Sequence, residues 1–366
     1  MLLKNLHQAI PKKASFSKYL LLLWPLYQLS QLPFARLYLV DLVVLLCVIL
    51  QARKLKFNHP LLKPVLFFLF TATLSLLFVI PAQAGIYTIA VLYLARLFLY
   101  SSILLISLPK ETPSLLNISF FMIPVLGLLQ YFFFPDLRFL KTIGYDDHYF
   151  RLTFPFLDPN FTGAVLAFIS LYSIKIIKTT KGKTLFSLSL IALALTFSRI
   201  SWLGFAIGLL YLFIKNQKLR LPVILTLTGL VFLIIISPKP FGEGVNLART
   251  YSITSRLRSY QHGWGIFKQN PIIGVGYNTL PFSMLQRSSA GLDNSFIFVL
   301  ATTGVIGLTS FIYLLIKTWI LIPNTYLKSA FLSLLIHSLA NNTLFYAPIT
   351  ILVFLLLNLN ARKTPL

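Results

Sequence analysis

Apolar residues fall along this chain in long unbroken runs, without the alternation of a surface strand or the one-sided stripe of a soluble helix. Runs of about 20 residues are long enough to cross a bilayer as helices. About twelve such runs can be traced, starting with residues 18–32, 37–50, 61–80, 86–108 and 113–134. They continue through 160–177, 184–198, 200–214 and 221–237 and end with 294–316, 330–344 and 346–359. Several are short, and the pair within 184–214 also reads as one broken span. The pattern predicts an all-α, polytopic membrane protein of about 12 transmembrane helices. Between the ninth and tenth runs, residues 253–269 read as a short amphipathic helix ended by Asn270-Pro271 and Gly274. At 100° per residue, Ile253, Leu257, Tyr260, Trp264 and Phe267 share its apolar face, which is expected to meet the membrane side. Arg256 flanks that face, whereas Arg258 and His262 point away into solvent.

Composition changes the picture by exclusion. Of the 366 residues 57% are apolar and 11% charged, against roughly 25% charged in soluble chains. So few charges cannot cover a water-exposed surface. The one cysteine, Cys47, removes disulfides within the chain and cysteine-based zinc sites. The net charge of +24 is explained by where the cations sit, and nucleic acid needs no role. With the N-terminus inside, one set of alternate loops collects Lys4, Lys12, Lys13 and Lys18, then Arg53, Lys54, Lys56 and Lys63. The same set holds Lys110, the runs from Lys175 to Lys183 and Lys215 to Arg220, then Lys317, Lys328, Arg362 and Lys363, with Glu111 as its one acid. Cytoplasmic loops hold such excess, so both termini are expected there. The first apolar run carries no small-residue cleavage site and reads as a signal anchor. The remaining charges concentrate in two long loops, about 135–159 and 238–293, and loops of this length are usually functional. No internal repeat or low-complexity tract is present, which gives a repeat-built transporter no support.

The first long loop holds Asp136, Arg138, Lys141, Asp146, Asp147 and His148, then Arg151 and the turn Asp158-Pro159-Asn160. Asp158 and Asn160 suit capping of the next helix as well as ligand binding. Arg151, among Phe150, Phe154 and Phe156, wants an anion, with snorkelling to lipid headgroups as the alternative. Ser198-Arg199 joins two apolar runs, where an arginine is costly without a partner. Asp41 and Arg96 lie within spans, and a structural pairing accounts for them. Arg36 lies near the outer end of its span. Gly274-Val275-Gly276 is more often a turn than a phosphate loop, and no G-x-G-x-x-G or P-loop pattern occurs. Asp293 and Asn294 open a late span, where capping and chemistry are both open readings. His7, His59 and His337 fit no catalytic pattern, His337 reading as packing in a late span. No H-E-x-x-H occurs, so a zinc site gains no support. Several arginines with few carboxylates at a membrane surface suit a lipid-linked phosphate substrate.

Taken in order, Arg151-Leu152-Thr153 to Asp158-Pro159-Asn160, Ser198-Arg199, Ser255-Arg256, Asn270 to Gly276, Asp293-Asn294-Ser295 and Thr303-Gly304-Val305-Ile306-Gly307 resemble the O-antigen ligase and polymerase superfamily of bacterial polytopic glycosyltransferases. The resemblance covers about 145–316, and the N-terminal spans agree in hydropathy alone. It implies three parts: an N-terminal transmembrane bundle (1–134), an O-antigen ligase-like catalytic region with both external loops (135–316) and C-terminal helices (317–366). It also implies transfer of a glycan from undecaprenyl-diphosphate to an acceptor hydroxyl at the extracytoplasmic face of the bacterial inner membrane, with no metal or other cofactor. The implied catalytic residues are Arg199 and Arg256, which neutralise the leaving diphosphate, and Asp293 as base. Arg151, Asp158, Asn160 and Asn294 are the implied substrate-binding residues. Many ligases carry histidine where this chain has Asp293, which leaves ligase and polymerase activities both open. The acceptor is a glycan, a lipid or a protein. A flippase or exporter of lipid-linked oligosaccharide and a non-catalytic assembly partner are the competing readings.

Overall fold

The computed structural model describes residues 16–32, 37–78, 84–240, 243–280 and 291–361. The expectations placed on Lys4, His7, Lys12, Lys13, Arg36, Arg362 and Lys363 fall outside these residues. Among the described residues the chain is all-helical, its only bridges being the isolated pairs Gln31–Tyr38 and Asp136–Tyr149. The helices, in order, are α1 Ser17–Leu23, α2 Leu39–Leu50, α3 Leu62–Leu77, α4 Ala84–Ser101, α5 Thr112–Phe133, α6 Pro159–Ser173 and α7 Thr180–Leu195. Then come α8 Arg199–Lys215, α9 Arg220–Ile236, α10 Tyr251–Gln269, α11 Ser295–Leu321, α12 Thr325–His337 and α13 Ala347–Ala361. Each predicted apolar run holds one of these helices, and α10 is the expected amphipathic one. Four helical stretches among the described residues, 87–104, 112–133, 217–236 and 295–321, are long and apolar enough by themselves to cross a membrane. The others are shorter, so the expected twelve describes apolar helical segments, not helices of full crossing length. The pair read as one broken span is two helices, α7 and α8, which meet at the turn Thr196–Ser198 and both pack on α6.

Large apolar side chains face outward along whole helices. On α9, Leu225, Phe232 and Ile235 are each at least 60% exposed. Leaving such surface in water costs about 25 cal/mol per Å², so the exposed faces, together with the apolar helices, are consistent with a polytopic membrane protein. The interior is instead rich in small polar residues that bond to backbone. Ser329 Oγ donates to the Gly208 carbonyl at 2.7 Å and Asn358 Nδ2 to that of Ile106 at 2.8 Å. Close helix approach through small residues is how helices associate where lipid removes the hydrophobic drive.

The buried Asp41–Arg96 pair forms as expected, with Arg96 Nη2 3.2 Å from Asp41 Oδ2. Tyr27 and Tyr100 donate to Asp41 Oδ1 at 3.1 and 2.5 Å, and the Arg96 guanidinium lies over the Tyr38 and Tyr93 rings. Taking the charge from one partner of a buried pair costs roughly 3 kcal/mol. Asp41→Asn is therefore expected to lower stability by about that amount in detergent thermal unfolding. The double change Asp41→Leu with Arg96→Leu, which removes both charges, should recover most of it. Equal losses in the single and double variants would contradict a structural pair.

Helix turns alternate between two ends of the bundle. One end gathers the lysine-rich connections at Arg53–Lys56, Lys110, Lys175–Lys183 and Lys215–Arg220. The other gathers the 134–158 loop, the 196–198 turn, helix α10 with its flanking loops, and the 338–346 connection. The arginines of interest all lie at this second end.

Candidate active site

Three helix N-termini come together at the arginine end. Asp158 caps α6, its Oδ1 accepting from the backbone N–H groups of Asn160 (2.6 Å) and Phe161 (3.1 Å). Helix α8 starts beside it, because Ser198 Oγ donates to Asn160 Oδ1 at 3.0 Å and Ser201 Oγ to the Asn160 carbonyl at 3.1 Å. Asn294 caps α11 through its Oδ1, with Phe296 N at 2.8 Å and Ile297 N at 3.0 Å. Its Nδ2 donates to the Leu339 carbonyl at 2.7 Å, which sets α11 against the end of α12. N-termini carry positive partial charge and unpaired N–H groups, so their convergence already favours an anion.

Guanidinium groups add full charge to that field. Arg199 is the first residue of α8, and its Nη groups donate to the Leu247 carbonyl (3.2 Å) and to Ser252 Oγ (2.7 Å). A cation at a helix N-terminus opposes the dipole, which marks the position as one not chosen for helix stability. Arg256, from α10, donates through Nε to the Ala340 carbonyl at 2.7 Å. Arg151 is 7% exposed and donates through Nε to the Thr196 carbonyl at 3.0 Å and through Nη2 to that of Phe197 at 3.5 Å. Arg249, which no motif singled out, donates to the same Phe197 carbonyl at 2.8 Å. Arg151 and Arg249 thus brace the 196–198 turn that presents Arg199. Phe150 and Leu157, which precede Arg151 and Asp158, and Phe197, two residues before Arg199, hold an unusual backbone, with φ of 50°, 57° and 50°. Bulky residues in the left-handed region cost of order 1–3 kcal/mol each and cluster at functional sites.

Among the described residues, Arg151, Arg199 and Arg256 have no carboxylate within ion-pairing distance. They are near enough to perturb one another. Burial and then the Arg249 cation lower the Arg151 guanidinium to about 9, so it keeps its charge at neutral pH. Arg256 is lowered by burial and partly restored by Asp293. Asp293 itself is raised by burial, lowered by Arg256, and raised again by Asp146 from the 134–158 loop. Asp146 also acts on Asp158, which is raised mainly by burial and lowered by its capped N–H groups and Arg151. His148 is 8% exposed, its Nε2 has no hydrogen-bond partner, and burial followed by Arg151 holds the imidazole neutral, near 3.

Arg199, Arg256, Asp293, Arg151, Asp158, Asn160 and Asn294 fall in one cluster. Capping at the α11 start belongs to Asn294 and not to Asp293, whose backbone N–H donates to Ser259 Oγ at 3.0 Å. Asp158, Asn160 and Asn294 are largely engaged with backbone. On α10 the stripe residues Ile253, Leu257 and Trp264 are exposed, and the helix packs through Ser252, Arg256, Ser259 and Gly263. Arg258 and His262 are exposed, as expected. Gly274-Val275-Gly276 forms a turn against α11. Among the described residues no cluster of metal-ligating side chains occurs.

No curated protein matches the chain. A family model described as O-antigen ligase matches residues 184–312, a narrower stretch than the 145–316 expected. It takes in Arg199, Arg249, Arg256, Asp293 and Asn294, while Arg151, Asp158 and Asn160 precede it. That match runs from within α7 to within α11, about a third of the chain, and supports the resemblance to the O-antigen ligase superfamily.

Proposed function

We propose that the protein transfers a glycan from undecaprenyl-diphosphate to an acceptor hydroxyl at the extracytoplasmic face of a bacterial inner membrane, both termini lying in the cytoplasm. The carrying observation is the group Arg151, Arg199 and Arg256, which among the described residues have no carboxylate within ion-pairing distance, set over three converging helix N-termini. Such a field needs an anion of more than one charge. Two like unit charges about 8 Å apart repel by roughly 2 kcal/mol at an effective dielectric near 20, and a bound diphosphate reverses the sign. An apolar cleft between α3, α4, α11 and α13, lined by Leu69, Leu97, Leu314, Phe345 and Val353, suits a long isoprenoid chain. It adjoins the site through Leu344, whose backbone N–H donates to Ser295 Oγ at 3.2 Å.

In this reaction the acceptor oxygen attacks the anomeric carbon as the bond from that carbon to the phosphate oxygen breaks. The electron pair leaves with the diphosphate, where Arg199 and Arg256 stabilise the charge by charge-assisted hydrogen bonds. The acceptor proton passes to Asp293, the carboxylate that faces Arg256. No divalent cation takes part, because the arginines fill that role. The Asp41–Arg96 pair is enclosed by tyrosines, so it offers no support to a flippase path.

The test uses purified protein in nanodiscs with an undecaprenyl-diphosphate oligosaccharide and EDTA. Arg256→Ala and Arg199→Ala are each expected to lower the transfer rate by about 10²–10³. Products that lengthen in the wild type indicate a polymerase, and one addition requiring a supplied lipid or protein acceptor indicates a ligase. Transfer unchanged in both variants, or abolished by EDTA, would overturn the proposal. Donor binding without transfer to any acceptor would move the reading to a flippase or a binding partner.

A further inference from the structure

Among the described residues nothing covers the apolar stripe of α10, where Ile253, Leu257 and Trp264 are 50, 53 and 49% exposed. At 100° per residue the helix divides into three faces. Ser252, Arg256, Ser259 and Gly263 form the one against the body. There Gly263 leaves room for Leu292 and Ile297, and Ile266 joins the apolar cluster around Phe298. Thr254, Arg258 and His262 form a polar face, all three exposed. The stripe runs between these two faces.

Helix α11, one of the long apolar stretches, fixes the level at which the stripe lies. Before Gly304 none of its large apolar side chains is exposed. From Val305 and Ile306 onward an outward apolar face opens and continues through Ile312, Tyr313 and Ile316. Helix α10 and the turn after it are joined to the start of that face by backbone. Val305 N donates to the Pro271 carbonyl at 2.9 Å and Ile306 N to the Ile272 carbonyl at 3.4 Å. Ile272 stands at the joint, 64% exposed, and from there α10 leads away with the Phe267 and Trp264 rings 5.1 Å apart. The outward face of α11 thus continues past its break onto α10.

We propose that the α10 stripe docks into the membrane leaflet at the arginine end of the bundle, at the boundary of headgroups and acyl chains, and so holds Arg256 at headgroup depth. Amphipathic helices lie in that plane with the apolar face sunk about 5–10 Å, and tryptophan favours the same level. Arg258 and His262 then face water, while Lys268, beside the stripe, reaches the headgroup phosphates along its apolar stem. A stripe of three side chains falls far short of the about 800 Å² per partner that a stable protein interface buries, so lipid and not a second copy is the occupant. Arg256 leaves the same helix toward the body, beside Ala340. Seating the stripe therefore sets that guanidinium where the diphosphate of a lipid lies, a step that rests on the donor-binding reading above; the docking itself does not.

The experiment uses the full-length protein in nanodiscs of phosphatidylethanolamine and phosphatidylglycerol, with one nitroxide-labelled cysteine per variant in a Cys47→Ala background. Spin relaxation by oxygen, which concentrates in lipid, is compared with relaxation by a water-soluble nickel chelate. Labels at Ile253→Cys and Leu257→Cys are expected to meet oxygen more than the chelate, as a label at Ile316→Cys on the α11 face does. The order should reverse at Arg258→Cys and His262→Cys. Stripe labels that meet the chelate as readily as those on the polar face would overturn the proposal, since the stripe would then lie in water. Stripe labels shielded from both reagents would overturn it as well, because protein would be the cover. Leu257→Asp with Trp264→Asp, which unseats the stripe, should weaken undecaprenyl diphosphate binding about as much as Arg256→Ala does, with monodisperse elution as the check on folding. Undiminished binding in the double variant alone would overturn the placement of Arg256. Undiminished binding in Arg256→Ala as well would overturn the donor-binding reading and leave the docking, read from the labels, in place.

Discussion

Asp293→Asn is expected to lower the transfer rate about a thousandfold while leaving donor binding within a few-fold of the wild type, general bases contributing typically 10²–10⁴. The substitution keeps the shape and removes the proton acceptor. Neither mount of the arginines is touched, because Asn294 caps α11 and Ala340 holds Arg256. Asp293→His, which supplies an alternative base at the same place, should retain activity within about tenfold of the wild type. The pH dependence has a definite sign. Burial raises the Asp293 carboxyl above its ordinary 3.8, and Arg256 pulls it part of the way back. The working form is the carboxylate, so activity falls as pH falls through this raised value, and the acid limb lies above that of an ordinary carboxylate. Arg256→Ala removes the lowering cation and should move the limb further up. Stability runs the other way for the same group: its contribution is complete below the unfolded value and is lost as pH rises through the folded one. A pH–rate profile of residual activity in both variants checks this. A limb that stays in place in Asp293→Asn would assign the base elsewhere, Asp146 being a carboxylate whose charge acts on Asp293.

Much of the helix order was legible because a bilayer demands apolar runs of a definite length, and water-soluble connections stand out between them. Residues 113–134 read as a span and form α5, Thr112–Phe133. Residues 18–32 also read as a span, but α1 ends at Leu23 and continues in 3₁₀ turns, Pro25 removing one backbone donor. What hydropathy could not give is which neighbour covers a face. The α10 stripe was correctly identified as apolar, yet the side that packs on the body is the one with Ser252, Ser259 and Gly263. There Gly263 leaves room for Leu292 and Ile297.

Within the site the sequence yields residue types in order, and the fold decides what each touches. Arg199 and Arg256 could be singled out because arginine at a span mouth is expensive and needs an explanation. Arg151 carried the same signal but spends its donors on the Thr196 and Phe197 carbonyls. Arg249 joins it there from a loop whose path no local pattern fixes. His337 looked like packing in an apolar helix, and it is packed. Contacts from side chain to distant backbone leave no periodic trace, so this is where reading the chain stops short.

Gly304→Ala is expected to prevent folding, with a loss above about 4 kcal/mol, a size reserved for strain or a broken buried network. Gly304 interrupts α11 at φ 64° and ψ −165°, a conformation open to glycine and closed to other residues. The turn after α10 lies in the break. Val275 N and Gly276 N donate to the carbonyls of Ala301 (3.2 Å) and Thr302 (3.0 Å), while Val305 N donates to the Pro271 carbonyl at 2.9 Å. The backbone groups freed by the break are therefore satisfied by the turn, as they must be away from water. The two chains cross through a pair of glycines. A Cβ on Gly304 would lie 2.2 Å from the Ile272 oxygen, and one on Gly274 would lie 2.3 Å from the Thr302 carbonyl carbon. Both obstacles are backbone and cannot rotate away. Gly144 supplies the comparison: its φ is 89°, but nothing lies within 4 Å of its Cβ position, so Gly144→Ala should cost only about 1–2 kcal/mol of conformational strain. Thermal unfolding and monodispersity in detergent distinguish the two, and a Gly304→Ala protein as stable as Gly144→Ala would show that the crossing is not built as described. The break also bears on function, because the first half of α11 carries Asn294 and sets Asp293 against Arg256. A crossing that opens should therefore separate Asp293, the proposed base, from the proposed diphosphate clamp before the bundle itself comes apart.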